Sequence, residues 1–145
     1  MSDRRINALL AKGAIERVET DGEAARQELG TARLHLESAR SLAGRDATAA
    51  FAVGYEAIRK AISAHMRASG YRVSKAPGHH RRVGRYAIAA LDDGEVAGHI
   101  EAFDELRQLR NQSQYDGLAV EPGEVAELLA HAEAIARAIG EDLNL

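Results

Sequence analysis

The chain has 145 residues, of which 46 % are apolar but only 4 % aromatic, with no cysteine, no tryptophan and a formal net charge of −3. One domain with a core of closely packed small side chains is expected, which suits helices better than a β-rich interior. The lack of cysteine excludes disulfides, thiolate zinc sites and a cysteine nucleophile, and with no signal-peptide pattern and no run of eighteen apolar residues a cytoplasmic, non-membrane protein is expected.

A short first helix is predicted over Arg4 to Val18, with Ile6, Leu9, Leu10 and Ile15 as a modest apolar face. Residues 1–20 read as a helical extension and residues 21–145 as the bundle. Thr20 and Glu23 have capping-box spacing, in which hydroxyl and carboxylate each satisfy a free backbone N–H, so a second helix is predicted over 22–43. Its stripe, Ala25, Leu29, Ala32, Leu36, Ala39 and Ala43, alternates steps of four and three, and Gly44 offers the left-handed exit. Asp46 can cap a third helix over 47–69 whose apolar line is Phe51, Tyr55, Ile58, Ile62 and Met66.

Tyr71 to Gly78 reads as a connection, and a fourth helix over 79–91 turns Val83, Ala87, Ile88 and Leu91 inward. The fifth, over 96–114, carries Ile100, Phe103 and Leu106, and Arg110 continues that stripe seven residues after Phe103. Pro122 fits the first turn of a sixth helix over 123–140, bearing Val125, Leu128, Leu129, Ala132, Ile135 and Ile139. No strand pattern competes. Short loops favour antiparallel neighbours, so the expected fold is an all-α, antiparallel up-and-down bundle with no sheet.

Charge is segregated along this frame. Residues 57–91 hold eight Lys/Arg and no acid, whereas residues 92–145 hold three Lys/Arg against thirteen Asp/Glu. The basic segment places Arg72, Lys75, His79, His80, Arg81, Arg82 and Arg85 around a loop-to-helix entrance, where backbone N–H groups suit phosphate. Tyr71 or Tyr86 could stack on an unpaired base. The competing reading is a solvated face, or one that pairs with the acidic C-terminal third of the same chain or of a second copy. His35, His65, His99 and His131 stand isolated on different helices and His79 and His80 are adjacent, so no metal site is expected. Nor does any phosphate loop, serine elbow or cofactor motif occur, and no cofactor is expected.

The alanine-rich second helix, the stretch AAFAVGYEAIRKAISAHMRASGY at 49–71, the basic loop with Gly78-His79, and Leu109 to Asp116 closing the fifth helix together resemble the HEPN family, the higher eukaryote and prokaryote nucleotide-binding domains. The likeness covers roughly residues 22–140. In that family an arginine, a polar residue and a histidine, with four to six residues between arginine and histidine, are associated with metal-independent RNA cleavage. Arg110 and Asn111 match the first half, but the permitted histidine positions hold Tyr115, Asp116 and Gly117. Cleavage through a ribose hydroxyl needs a group that moves a proton near neutral pH, and a tyrosine with a pKa of about 10 does so poorly.

Arg110, Asn111 and Tyr115 are therefore the candidate site residues, and the resemblance implies a non-catalytic domain that binds RNA or a partner protein. Each also has a structural reading: Arg110 as a neutralised arginine joining the last two helices, Asn111 bonding a turn, Tyr115 and Asp116 as packing and helix termination. Glu56 is a possible partner for Arg110. The bacterial stress, defence or toxin–antitoxin setting, a homodimer pairing through the Arg110 end, and a nucleotidyltransferase partner follow from the resemblance alone. The alternatives are a ribonuclease toxin in which His79 or His80 completes the site around Arg110, and a structural dimerisation module.

Overall fold

The computed structural model describes residues 3–74, 78–91, 96–115, 117 and 119–145. Six helices and a two-stranded sheet follow in the order α1 (Asp3–Ala11), β1 (Ile15–Arg17), α2 (Gly22–Leu42), α3 (Ala47–Ser69), β2 (Tyr71–Val73), α4 (His79–Leu91), α5 (Val96–Tyr115) and α6 (Pro122–Leu143). The architecture is an all-α bundle, with the small sheet as a clasp at one end of the α2–α3 hairpin.

Two expectations are corrected here. The first helix does not run to Val18: Gly13, at φ +72°, turns the chain after Ala11. Ile15–Arg17 then pairs antiparallel with Tyr71–Val73, in the register Ile15 to Val73, Glu16 to Arg72 and Arg17 to Tyr71. Val18 N–H to the Gly70 carbonyl (2.9 Å) and Ser74 N–H to the Ala14 carbonyl (3.2 Å) extend the ladder at both ends. Three-residue strands are too short to show a period of two, and their hydrogen bonds come from a partner more than fifty residues away. The second correction concerns the start of α2. Asp21, not Thr20, is the cap, its carboxylate accepting from Ala24 N–H at 2.9 Å. Asp21 N–H also reaches the Arg67 carbonyl at 2.9 Å, which fastens the start of α2 to the end of α3.

α3 is the central element and packs against α2, α5 and α6. Asp46 caps it by accepting from Ala49 N–H at 3.0 Å, and Gly70 ends it in the left-handed region at φ +83°. Phe51, Tyr55, Ile58, Ile62 and Met66 are all buried, as their spacing predicts. Small residues let its neighbours come close. A Cβ at Gly54 would lie 3.1 Å from side-chain carbons of both Leu128 and Leu129, so glycine there sets how near α6 can approach. On another side the Tyr55 and Phe103 rings stack with centroids 5.3 Å apart.

α2 buries Ala25, Leu29, Ala32, Leu36 and Ala39, and α6 buries Val125, Leu128, Ala132, Ile135 and Ile139. Pro122 occupies the first turn of α6, and Glu121 N–H is met by the Glu124 carboxylate at 3.2 Å. α4 packs against α5 and α1, which leaves its outer face at the edge of the bundle. Among the described residues no helix is long and apolar enough to cross a membrane.

Candidate functional site

The basic segment folds into the end of α3, the strand β2 and the first turns of α4. Gly70 reverses the chain after α3 and places Arg72 on the exposed side of β2, beside Glu16 of β1. Arg72 Nε and Nη2 donate to Glu16 Oε2 at 3.1 and 2.9 Å across the strands. Gly78, at φ +92°, precedes α4 and its carbonyl accepts the Arg82 N–H at 3.0 Å. Arg81 and Arg85 lie one helical turn apart and are exposed, with Arg82 half-buried between them. Lys75 and the side chains of His79 and His80 lie outside the described residues.

Next to this face, Arg59, Lys60, Arg67 and Arg72 line a cleft of about 500 Å3, together with Tyr71, Val83 and the acids Glu19, Asp21 and Glu28. Arg59 pairs with Glu56 at 2.9 Å, Arg67 with Glu28 at 3.5 Å and Arg72 with Glu16 at 2.9 Å. Among the described residues the acids that these three arginines meet all belong to the first 56 positions of the chain. Among the described residues Lys60, Arg81 and Arg85 enter no ion pair. The acidic third instead reaches α2, through Arg40 and Glu133 at 3.2 Å.

The two tyrosines considered for base stacking part company. Tyr86 is only 1 % exposed and its hydroxyl is engaged with His65, so it offers no face to a base, which corrects the expectation. Tyr71 is half-buried, and the Arg17 guanidinium lies 5.6 Å from its ring centroid.

α5 carries the family-type arginine near its C-terminal end. Its backbone stays helical through Tyr115, which sets Arg110 and Asn111 in the last turns, and Asn111 is exposed. Ile100, Phe103 and Leu106 are buried along the stripe that Arg110 continues. The side chains of Arg110 and Tyr115, and Asp116 as a whole, lie outside the described residues, as does any meeting of Arg110 with Glu56. Gly117, at φ +69°, turns the chain towards α6.

Two histidine arrangements escaped the sequence reading. His65, 7 % exposed, bonds the Tyr86 hydroxyl through Nδ1 and the Asp142 carboxylate through Nε2, both at 2.9 Å. His99 of α5 and His131 of α6 face each other with their Nδ1 atoms 2.8 Å apart, so one ring donates and the other accepts. His65, His99 and His131 looked isolated because their partners are brought up by tertiary packing. A signal did exist for His65, which lies within the apolar stripe of α3, between Ile62 and Met66. Among the described residues no group of three potential metal ligands forms.

The geometry thus offers a cationic edge made by β2, α3 and α4, and an arginine near the end of α5. No curated protein and no solved structure matches the chain. The HEPN domain family model matches residues 23–143, from the first turn of α2 to the last residue of α6, and the chain belongs to the HEPN domain family.

Proposed function

We propose that this HEPN domain binds single-stranded RNA through its cationic edge and does not cut it. The observation that carries the reading is that Lys60, Arg81 and Arg85 enter no ion pair among the described residues, beside the exposed Arg72. Like charges held together on a fold edge are costly unless something anionic neutralises them, and a phosphate backbone does so with release of its counterions. Arg82, Lys75, His79 and His80 extend the same stretch of chain. The absence of cleavage rests on chemistry: Tyr115 stands at the first position where the family's ribonuclease motif permits histidine, and a phenol is a poor proton carrier near neutral pH. A homodimer formed through the Arg110 end, a protein partner such as a nucleotidyltransferase, and a role in bacterial stress, defence or toxin–antitoxin systems belong to the same proposal and rest on the family resemblance.

Anisotropy of a labelled unstructured RNA, titrated at several salt concentrations, tests the binding. Each phosphate contact contributes roughly 0.7 to the slope of log affinity against log salt for a single strand. Reversing both Arg81 and Arg85 to glutamate should therefore lower that slope by about 1.4 and weaken binding alike for all sequences. Affinity and slope equal to those of the unaltered protein would refute the assignment.

A further inference from the structure

The cleft beside the cationic edge holds a carboxylate whose hydrogen bonding is incomplete. Glu28 of α2 lines it together with Lys60 and Ser63 of α3 and the apolar side chains of Val18, Met66, Val73 and Val83. The Glu28 side chain is only 18 % exposed, and its Oε2 is buried without a hydrogen-bond partner. Its ion pair with Arg67, from Nε to Oε1, is long at 3.5 Å. A buried carboxylate oxygen is costly to leave unpaired, so a donor entering the cleft gains more here than at a solvated acid. The other two acids of the lining differ: Asp21 is committed to capping α2, and Glu19 is exposed.

The same lining holds a cation that is not spent. Lys60 is half-buried and enters no ion pair among the described residues, whereas Arg59, Arg67 and Arg72 each have an acid partner. The cleft therefore presents an under-used acceptor and a free ammonium between apolar walls, and its volume of about 500 Å3 falls in the range of small-molecule pockets.

Among the four RNA bases this combination selects one. Guanine alone carries two adjacent N–H donors on its Watson–Crick edge, N1–H and the N2 amino group, which match the two oxygens of a carboxylate. It also offers O6 and N7 as acceptors for an ammonium. Adenine and cytosine set a ring-nitrogen lone pair beside their amino group, and uracil flanks its single N–H with two carbonyls. Each of these would turn a lone pair towards Glu28, a repulsion that discriminates as strongly as the matching contact attracts.

We propose that the cleft seats one guanine base of the bound strand, with Glu28 accepting from N1–H and the N2 amino group, Lys60 donating to O6, and Met66 and the valines against the ring. This inference rests on the RNA-binding reading and adds base preference to it: phosphate contacts along the edge are blind to sequence, and Glu28 is the residue that reads it.

Anisotropy of short labelled oligouridine strands, each with one central guanosine, adenosine, cytidine or inosine or with none, tests this at fixed salt. The guanosine strand should bind about tenfold more tightly than the adenosine, cytidine and plain strands. Inosine, which lacks the N2 amino group, should lose most of that gain with no change to the protein. Glu28→Gln places an amide N–H2 where an acceptor is needed and should erase the preference for guanosine while binding the plain strand no more weakly. Glu23→Gln removes the same charge from the exposed first turn of α2 and should keep the preference, with circular dichroism confirming that both variants are folded. Salt-sensitive binding that is equal for all strands, or a guanosine preference retained in Glu28→Gln, would overturn this inference and leave the RNA-binding edge standing. If no strand binds, calorimetric titration with guanosine and adenosine monophosphates separates the two: selective binding of the guanosine form keeps the cleft and refutes the edge, and its absence refutes both.

Discussion

Replacing Gly70 by alanine should destabilise the protein by about 2–3 kcal/mol, the sum of two costs at one atom. Gly70 sits at φ +83°, ψ +39°, where a Cβ meets its own carbonyl, a strain of about 1–2 kcal/mol for an L-residue. That Cβ would also lie 2.9 Å from the Val18 carbonyl oxygen and 3.2 Å from Thr20 Cγ2. The Val18 backbone cannot simply retreat, because its N–H is bonded to the Gly70 carbonyl at 2.9 Å, so relieving the contact weakens a hydrogen bond worth about 1 kcal/mol. At this chain length the total corresponds to a fall in Tm of roughly 5–10 °C. Urea unfolding followed by circular dichroism should show a lower midpoint with an unchanged slope. The control is Gly30→Ala: this glycine is exposed inside α2, its added Cβ meets nothing within 4 Å, and the change should stabilise by about 0.5–1 kcal/mol. If Gly70→Ala matches or exceeds the stability of the unaltered protein, the assignment of Gly70 as the fixed corner between α3 and β2 is wrong.

Other perturbations reach different parts of the structure. Leu128→Ala removes a fully buried side chain packed over Gly54 and should cost about 2–5 kcal/mol in denaturant unfolding, since α6 cannot collapse freely onto α3. The Tyr86 hydroxyl is pushed up to about 12, mainly by burial and also by the nearby Tyr71 and Asp142, against an opposing hydrogen bond from Ser69. Its folded pKa lies above the unfolded value of about 10, so its contribution is complete below pH 10 and is lost as pH rises towards 12, a change of about 3 kcal/mol. Denaturant stability measured between pH 9 and 12 should fall accordingly, and Tyr86→Phe should remove that part of the slope.

Most of the fold could be read from local pattern. The stripes of α2, α3 and α6 repeat at helical spacing and are buried as expected, and Asp46 and Pro122 mark helix starts through chemistry that acts within one turn. What escaped depends on residues far apart in sequence. Ile15–Arg17 becomes a strand because Tyr71–Val73 arrives beside it, and Asp21 outcompetes Thr20 as a cap where its own N–H also finds the Arg67 carbonyl. The same holds for function. The basic run was visible as composition, but the pairing of Arg59, Arg67 and Arg72 with Glu56, Glu28 and Glu16, and the burial of Tyr86, are products of tertiary packing. His65 looked like an isolated polar residue because its partners lie 21 and 77 positions away.

Incubating a labelled single-stranded RNA with the full chain in metal-free buffer, and reading anisotropy and gel mobility from the same sample, addresses binding and cleavage together. The expected result is salt-sensitive binding with the RNA intact, and weak cleavage gained only in Tyr115→His, which returns a group with a pKa of about 6.5 five residues after Arg110. Degradation of the RNA by the unaltered protein, abolished by Arg110→Ala, would contradict the non-catalytic reading and make this HEPN domain a ribonuclease.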